Sequence, residues 1–289
     1  MVTLADLRTF AKYHLVRRVV DHPAPETELG IAPLDYDPDA YVAQIRSYAE
    51  RSFDVSTLDE VAYRDRRFPI LAVRRAHRDA RKRLLVLAGV HGNEHAGLLA
   101  VPEILDAFDE AALPIELCVV TPVNPVGAAY FSRYNALGFD INRDFSRFET
   151  PEARAVRRVA DRMRPDFLVA LHEGPQDATF LFTNRCVPDD LSMRVLRVMS
   201  DAGTVLAARD YFGRTLDPPG HAPMSRSMWL LCALWAHTLS MMATSMWANE
   251  RGLPEITLES SWRHPDRSVR VRGHTALVMA VARELATAA

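Results

Sequence analysis

Residues 84–94, LLVLAGVHGNE, decide how the rest of the chain is read. Leu84 to Val90 is a short aliphatic run, the pattern of a strand covered on both faces. It stops at Gly92 and Asn93, with His91 and Glu94 three residues apart. A His-x-x-Glu pair at the mouth of a strand can grip one cation. Zinc accepts imidazole nitrogen and carboxylate oxygen at about 2.0–2.2 Å, and catalytic sites commonly use three protein ligands. A third ligand is then expected at the end of another strand. The plain alternative is a strand–turn–helix connection with a surface His and a helix-capping Glu, and the spacing alone does not choose between them.

Outward from this stretch the pattern alternates. His95–Phe108 carries apolar residues at helical spacing, and Ile115–Val120 is a second buried strand, followed by the turn-rich Thr121–Pro125. Pro151–Met163 is an Arg-rich amphipathic helix. Phe167–Leu171 is a third apolar strand, ending at His172, and Ile256–Leu258 a fourth, ending at Glu259. Leu191–Met199 and Arg270–Ala286 read as helices. Upstream, residues 1–33 suggest a helix and a Pro-rich connection. Asp37 is placed to cap a helix through Tyr48 with Pro38 in its first turn. Val61–Tyr63 and Phe68–Val73 read as short strands joined by the charged turn Arg64–Arg67, and His77–Arg83 as a solvated loop. Strands alternating with helices specify an α/β fold with a mixed, mostly parallel central sheet, whose ligands bind beyond the carboxyl ends of the strands. His91, His172 and Glu259 are all expected just past such ends. No repeat or linker interrupts the pattern, so a single domain is expected.

Composition narrows the class. The chain has 289 residues, 48% hydrophobic and 25% charged, which suits a soluble globular enzyme. A net charge of -2 with scattered arginines gives no reason to expect nucleic acid or an anionic membrane as partner. Three cysteines without CxxC spacing argue against a disulfide framework and a thiolate metal site. The first twenty residues lack a signal-peptide core, and a cytoplasmic location is the default expectation. Met228–Trp247 contains no Asp, Glu, Lys or Arg over twenty residues, the length of a membrane span. Its interspersed His, Thr and Ser residues, and its position between His172 and Glu259, favour a buried helix, with a partner-facing Met/Trp surface as the remaining alternative.

A further segment, Arg133–Phe145, places arginines around Asn142 and a Gly-containing turn. Arg143 beside Asn142 suits a carboxylate clamp, and Arg133 could reach a developing oxyanion. A surface ion-pair network is the ordinary alternative for any one of these arginines.

Taken together, H-G-N-E at 91–94, Asn124-Pro125, R-x-N-x-x-G-x-D-I-N-R-D-F from Arg133, a strand ending in His172 and Thr257-Leu258-Glu259 resemble the zinc metallocarboxypeptidases, the superfamily that also contains aspartoacylase and succinylglutamate desuccinylase. The resemblance spans roughly residues 60–285 and leaves 1–55 as an N-terminal helical extension. It implies one zinc ion held by His91, Glu94 and His172, with Glu259 as general base and acid. Arg133 would stabilise the oxyanion, and Asn142 with Arg143 would hold a substrate carboxylate. The metal would lower the pKa of the attacking water towards about 7. There are departures. Asn124-Pro125-Val126-Gly127 stands where the peptidases often have Asn-Pro-Asp-Gly, and no Tyr lies in His237–Trp247, where a substrate-covering tyrosine is common. Tyr211 is the nearest upstream tyrosine, and the role is not assigned to it. Glu173 reads as a solvated acid, the alternative being a group that orients a substrate amine or a neighbour of the site, His95 as a neighbour of the site or a surface residue, and Asp140 and Asp144 as local partners of the arginines. The segment Asp201–Arg226, with Arg209, Arg214 and Arg226, is expected to shape specificity. The expected activity is zinc-dependent cleavage of an amide bond next to a free carboxylate in a short or unusual peptide. The second expectation is an N-acyl amino acid amidohydrolase of the aspartoacylase type. The partner in either case is a small peptide or acyl amino acid.

Overall fold

The computed structural model describes residues 16–19 and 31–288. The apolar run of the opening stretch forms β3 (Arg83–Ala88) at the centre of an eight-stranded sheet. The other strands are β1 (Asp54–Tyr63), β2 (Arg66–Arg75), β4 (Glu116–Thr121), β5 (Phe167–Gly174), β6 (Phe180–Thr183), β7 (His221–Pro223) and β8 (Glu255–Ser261), in the order β1-β2-β4-β3-β5-β8-β6-β7. The four central strands β4, β3, β5 and β8 run parallel, and antiparallel pairings attach β2 and β6 on either side.

Strand alternation explains why β3 is apolar throughout. Leu84, Val86 and Ala88 enter one core layer, and Leu85 and Leu87 enter the opposite one. The first layer is covered by α1 (Pro38–Ser47), α2 (His95–Ala111), α5 (Asp189–Asp201) and α8 (Arg267–Thr287). The second lies under α4 (Pro151–Met163) and α7 (Thr244–Glu250). Short α3 (Pro125–Ala129) and α6 (Arg226–Thr238) complete the α-helices of the described residues. Asp37 caps α1 through its Oδ1, which accepts from Asp39 N at 2.9 Å and Ala40 N at 2.8 Å.

Several expectations change. β1 and β2 are ten residues each and the turn between them shrinks to Arg64-Asp65. In β1 only Val61 is buried, so an edge strand of mixed polarity hides most of its length from an alternation test. β5 continues through His172 and Glu173, and β8 through Glu259, so these residues lie inside strands rather than past their ends. Strands β6 and β7, four and three residues long, carry too little pattern to be read. Met228–Trp247 is not one buried helix. It splits into α6 and α7 around Leu239–Ala243, where Ser240 takes φ +54°. The link zips onto the Arg143–Phe145 backbone, with Met242 N to Arg143 O and Phe145 N to Met242 O both 3.1 Å. Only Ala236 of α6 is buried, while Leu230 and Leu234 are 60% and 57% exposed. No described helix is long and apolar enough to cross a membrane.

The helix expected within 1–33 lies outside the described residues, apart from 16–19 and 31–33. Residues 16–19 run beside the 137–144 loop. Arg18 bridges to Phe139, Asp140 N donates to Arg17 O at 3.0 Å, and Arg17 pairs with Asp144 and Glu149.

Candidate metal centre

His91 and Glu94 stand on the connection from β3 to α2. Gly92 lets this loop pack against α3, because a Cβ there would lie 2.0 Å from the Gly127 carbonyl carbon. Glu94 occupies the N-cap position of α2, yet its side chain caps nothing. The free Ala96 amide is taken instead by Glu173 Oε2 at 2.9 Å. Glu94 turns inward: Oε1 lies 2.7 Å from His91 Nδ1 and Oε2 2.7 Å from His172 Nδ1. The helix-capping alternative for Glu94 is thereby set aside.

The two imidazole Nδ1 atoms are 3.1 Å apart, and with the Glu94 carboxylate they form one compact buried group. Two ligand atoms about 2.0–2.1 Å from a tetrahedral centre would stand about 3.3 Å apart, so the arrangement fits a zinc-sized ion. The tautomer of His91 agrees. Asp140 Oδ1 lies 3.2 Å from His91 Nε2, and since an ionised carboxylate only accepts, the proton sits on Nε2 and the Nδ1 lone pair faces the group. Burial would raise the Asp140 carboxyl, but Arg133, His91 and Arg143 outweigh it and hold it well below the usual range. Burial likewise opposes the Glu94 charge, and the facing imidazoles His91 and His172 reverse it, holding Glu94 ionised. Burial pushes His172 down, which keeps it neutral as a ligand must be.

Arg133 is buried against this group. Its Nε and Nη2 reach Asp140 Oδ2 at 3.0 and 2.8 Å, and Nη1 lies 3.2 Å from His91 Nδ1 and 3.6 Å from Glu94 Oε1. Glu259 is the register partner of His172 across β5 and β8, so both side chains rise from one face of the sheet. Its carboxyl is pushed well above the usual range, first by burial and then by Glu94, with Arg133 opposing. Asn142 and Arg143 lie on the next turn. Asn142 Oδ1 accepts from Thr244 N at 2.9 Å, and Arg143 Nη1 donates to Asn142 O at 2.7 Å.

Other readings are revised. Glu173 is not a solvated acid: it is fully buried, bonded to Arg270 Nε at 2.7 Å and Nη2 at 3.1 Å. It therefore ties α8 and the start of α2 to the strand that carries His172. His95 is buried, with Nε2 3.1 Å from Ala128 O and its ring against Tyr36 and Phe131. Asp140 does pair with Arg133, as expected, but its hold on His91 has no signature in the sequence. Asp144 accepts from Thr150 N at 2.7 Å besides meeting Arg17. Within Asp201–Arg226 the three arginines are exposed, Arg214 pairing with Asp210 at 3.1 Å. Tyr211 turns the other way. Its ring packs on Phe180, the cross-strand neighbour of Glu259, and burial pushes its hydroxyl up, Glu259 adding to this and Arg143 and Arg133 opposing it.

Residues 80–209 match the succinylglutamate desuccinylase/aspartoacylase catalytic domain family. The chain is 33% identical over 105 residues to "Probable carboxypeptidase 2" of Arthroderma benhamiae, covering 34% of this chain and 20% of that protein. It is 34% identical over 98 residues to "Carboxypeptidase 2" of Trichophyton tonsurans, covering 32% and 18%. The match thus spans about a fifth of these relatives' length. Among solved structures, the fold is shared with a metallo-carboxypeptidase from Burkholderia cenocepacia (TM-score 0.61, 14% identity, 88% of this chain and 70% of that one). It is also shared with a succinylglutamate desuccinylase/aspartoacylase from Rhodobacter sphaeroides (TM-score 0.55, 16% identity, 88% and 68%). At these identities the likeness is one of fold.

Proposed function

We propose that this chain is a zinc-dependent hydrolase that cleaves an amide bond next to a free carboxylate, in the manner of a carboxypeptidase acting on a short peptide. The observation that carries this is the convergence of His91 Nδ1, His172 Nδ1 and the Glu94 carboxylate, with Glu259 on the same sheet face. A zinc ion held by those three residues would supply Lewis acidity and a water of lowered pKa. The remaining work falls to the chain itself. Glu259, buried beside the ligands, takes the proton of the attacking water and delivers it to the departing nitrogen. Arg133, held in place by Asp140, puts a fixed positive charge beside the reacting carbonyl, where it stabilises the developing oxyanion. Arg143 and the Asn142 amide bind the free carboxylate and so choose which bond meets Glu259. The Asn142 Oδ1 bonds to Thr244 leave its Nδ2 donors for that task.

A second reading, an N-acyl amino acid amidohydrolase, is favoured by the family match over residues 80–209. The test is hydrolysis by zinc-loaded protein of C-terminally free peptides, their C-terminal amides and N-acyl amino acids, with products identified by mass. Release of a C-terminal residue, lost on amidation and in Glu259→Gln, supports the peptidase reading. Cleavage confined to acyl amino acids moves the chain to the second. Full activity in Glu259→Gln would overturn the role given to that residue.

A further inference from the structure

Past Glu259, the ends of β5 and β8 carry polar atoms that the mechanism leaves unused. Gly174 and Ser261 are register partners two residues beyond the His172 and Glu259 pair. Strand alternation therefore puts them on the same face of the sheet. Gln176 folds back over Gly174. A Cβ on Gly174 would lie 2.3 Å from Gln176 Oε1 and 3.1 Å from Glu259 Oε2, so both groups stand directly against this glycine.

The orientation of the Gln176 amide follows from its one bond, Nε2 to the Glu259 backbone carbonyl at 2.9 Å. A carbonyl oxygen only accepts, so the nitrogen must face it and Oε1 faces the Gly174 side, beside Glu259 Oε2. Gln176 Oε1 has no hydrogen-bond partner, and neither has Ser261 Oγ. Both side chains are more than nine-tenths buried, at 7% and 6% exposure. Buried acceptors seldom stay unpaired, and these two flank the proposed general base.

We propose that Gln176 and Ser261, beside Glu259, form a subsite for a protonated amine on the residue that precedes the scissile bond. The preferred substrate is then a dipeptide, or a similar compound with a free amine at that place. This rests on the amide-hydrolase function proposed above. An ammonium group offers three donors and no acceptor. It complements the Gln176 carbonyl, the Ser261 hydroxyl oxygen and the Glu259 carboxylate together. An acyl group ending in a carboxylate would set acceptor against acceptor at the same place. The subsite therefore discriminates between the two readings of the reaction and favours the peptide. Gly174 lets Gln176 Oε1 stand this close to Glu259, since any side chain there would displace it.

The test compares Leu-Phe with isocaproyl-Phe, which is the same compound without its amine, on zinc-loaded wild type, Gln176→Met and Ser261→Ala. In parallel, calorimetry measures binding of the ketomethylene isostere of Leu-Phe with and without the amine. We expect the wild type to favour the amine at least tenfold in kcat/KM and in affinity. In each variant that ratio falls severalfold, chiefly through KM. Equal hydrolysis and equal binding of the two forms would overturn the subsite and leave the hydrolase function standing. Amine-dependent binding that weakens in the variants, without hydrolysis of either compound, would retain the subsite and overturn the function. Neither hydrolysis nor any amine preference in binding would overturn both.

Discussion

Replacing Asp140 by Asn leaves every proposed metal ligand in place and removes the charge behind one of them. Asp140 is fully buried and makes three contacts: Oδ1 to His91 Nε2 at 3.2 Å, and Oδ2 to Arg133 Nε at 3.0 Å and Nη2 at 2.8 Å. Asn keeps one oxygen. It can accept from His91 or from the Arg133 fork, and whichever it leaves then faces an N–H that only donates. If the oxygen goes to Arg133, the His91 proton loses its acceptor and the Nδ1 lone pair is no longer held toward the centre. Loss of such an outer partner typically costs 10–100-fold in metal affinity, or about 1.4–2.7 kcal/mol. Arg133 is also left buried without the Asp140 charge. Breaking a buried pair costs about 3–5 kcal/mol, an upper bound here because Asn retains one bond. Zinc competition against a chromophoric chelator reads the first effect on folded protein, and thermal melts of metal-free protein read the second. A variant that both binds zinc within twofold of wild type and melts with it would refute these roles for Asp140.

Gly174→Ala should lower kcat without lowering zinc content, since its Cβ would press on Gln176 Oε1 and Glu259 Oε2; turnover with metal analysis checks this. Arg270→Met leaves Glu173 buried without its cation and should destabilise the fold by about 3–5 kcal/mol, measured by urea unfolding. Glu255 is buried and its carboxyl is pushed up to about 8. Between its unfolded value near 4.5 and about 8 only the native state holds the proton, so stability falls as pH rises, by about 1.4 kcal/mol per unit. Denaturation across that range should show Glu255→Gln matching wild type near the lower end and exceeding it near pH 8. Removing zinc should lower Tm, because an ion bound only by the folded state at about a thousandfold above its Kd contributes about 4 kcal/mol. An unchanged melt after chelation would count against the centre.

The parts of this architecture that sequence exposes are those where one residue type has one physical reason. Leu84–Ala88 is apolar on both faces because helices cover both, and Gly92 marks a loop pressed onto backbone. His91 and Glu94 share one loop, so their spacing alone suggests a pair. His172 and Glu259 were harder to place. Both extend strands beyond the apolar run, and polar side chains aimed at a site break the very pattern that marks a strand. Glu173 looked like any acid because its partner Arg270 lies 97 residues away. The uncharged Met228–Trp247 looked like a core helix, yet composition does not say whether a neighbour is there to cover it. In the structure α6 leaves Leu230, Leu231 and Leu234 exposed. Asp140 carries its meaning only in three dimensions, through contacts to His91 and Arg133.

The central claim is that His91, Glu94 and His172 hold one catalytic zinc ion. Anomalous scattering at the zinc edge from crystals of the zinc-loaded protein tests it most directly. One strong peak is expected about 2.0–2.2 Å from His91 Nδ1, His172 Nδ1 and the Glu94 carboxylate. A peak bound elsewhere, or none at these residues in protein that contains zinc, would contradict it.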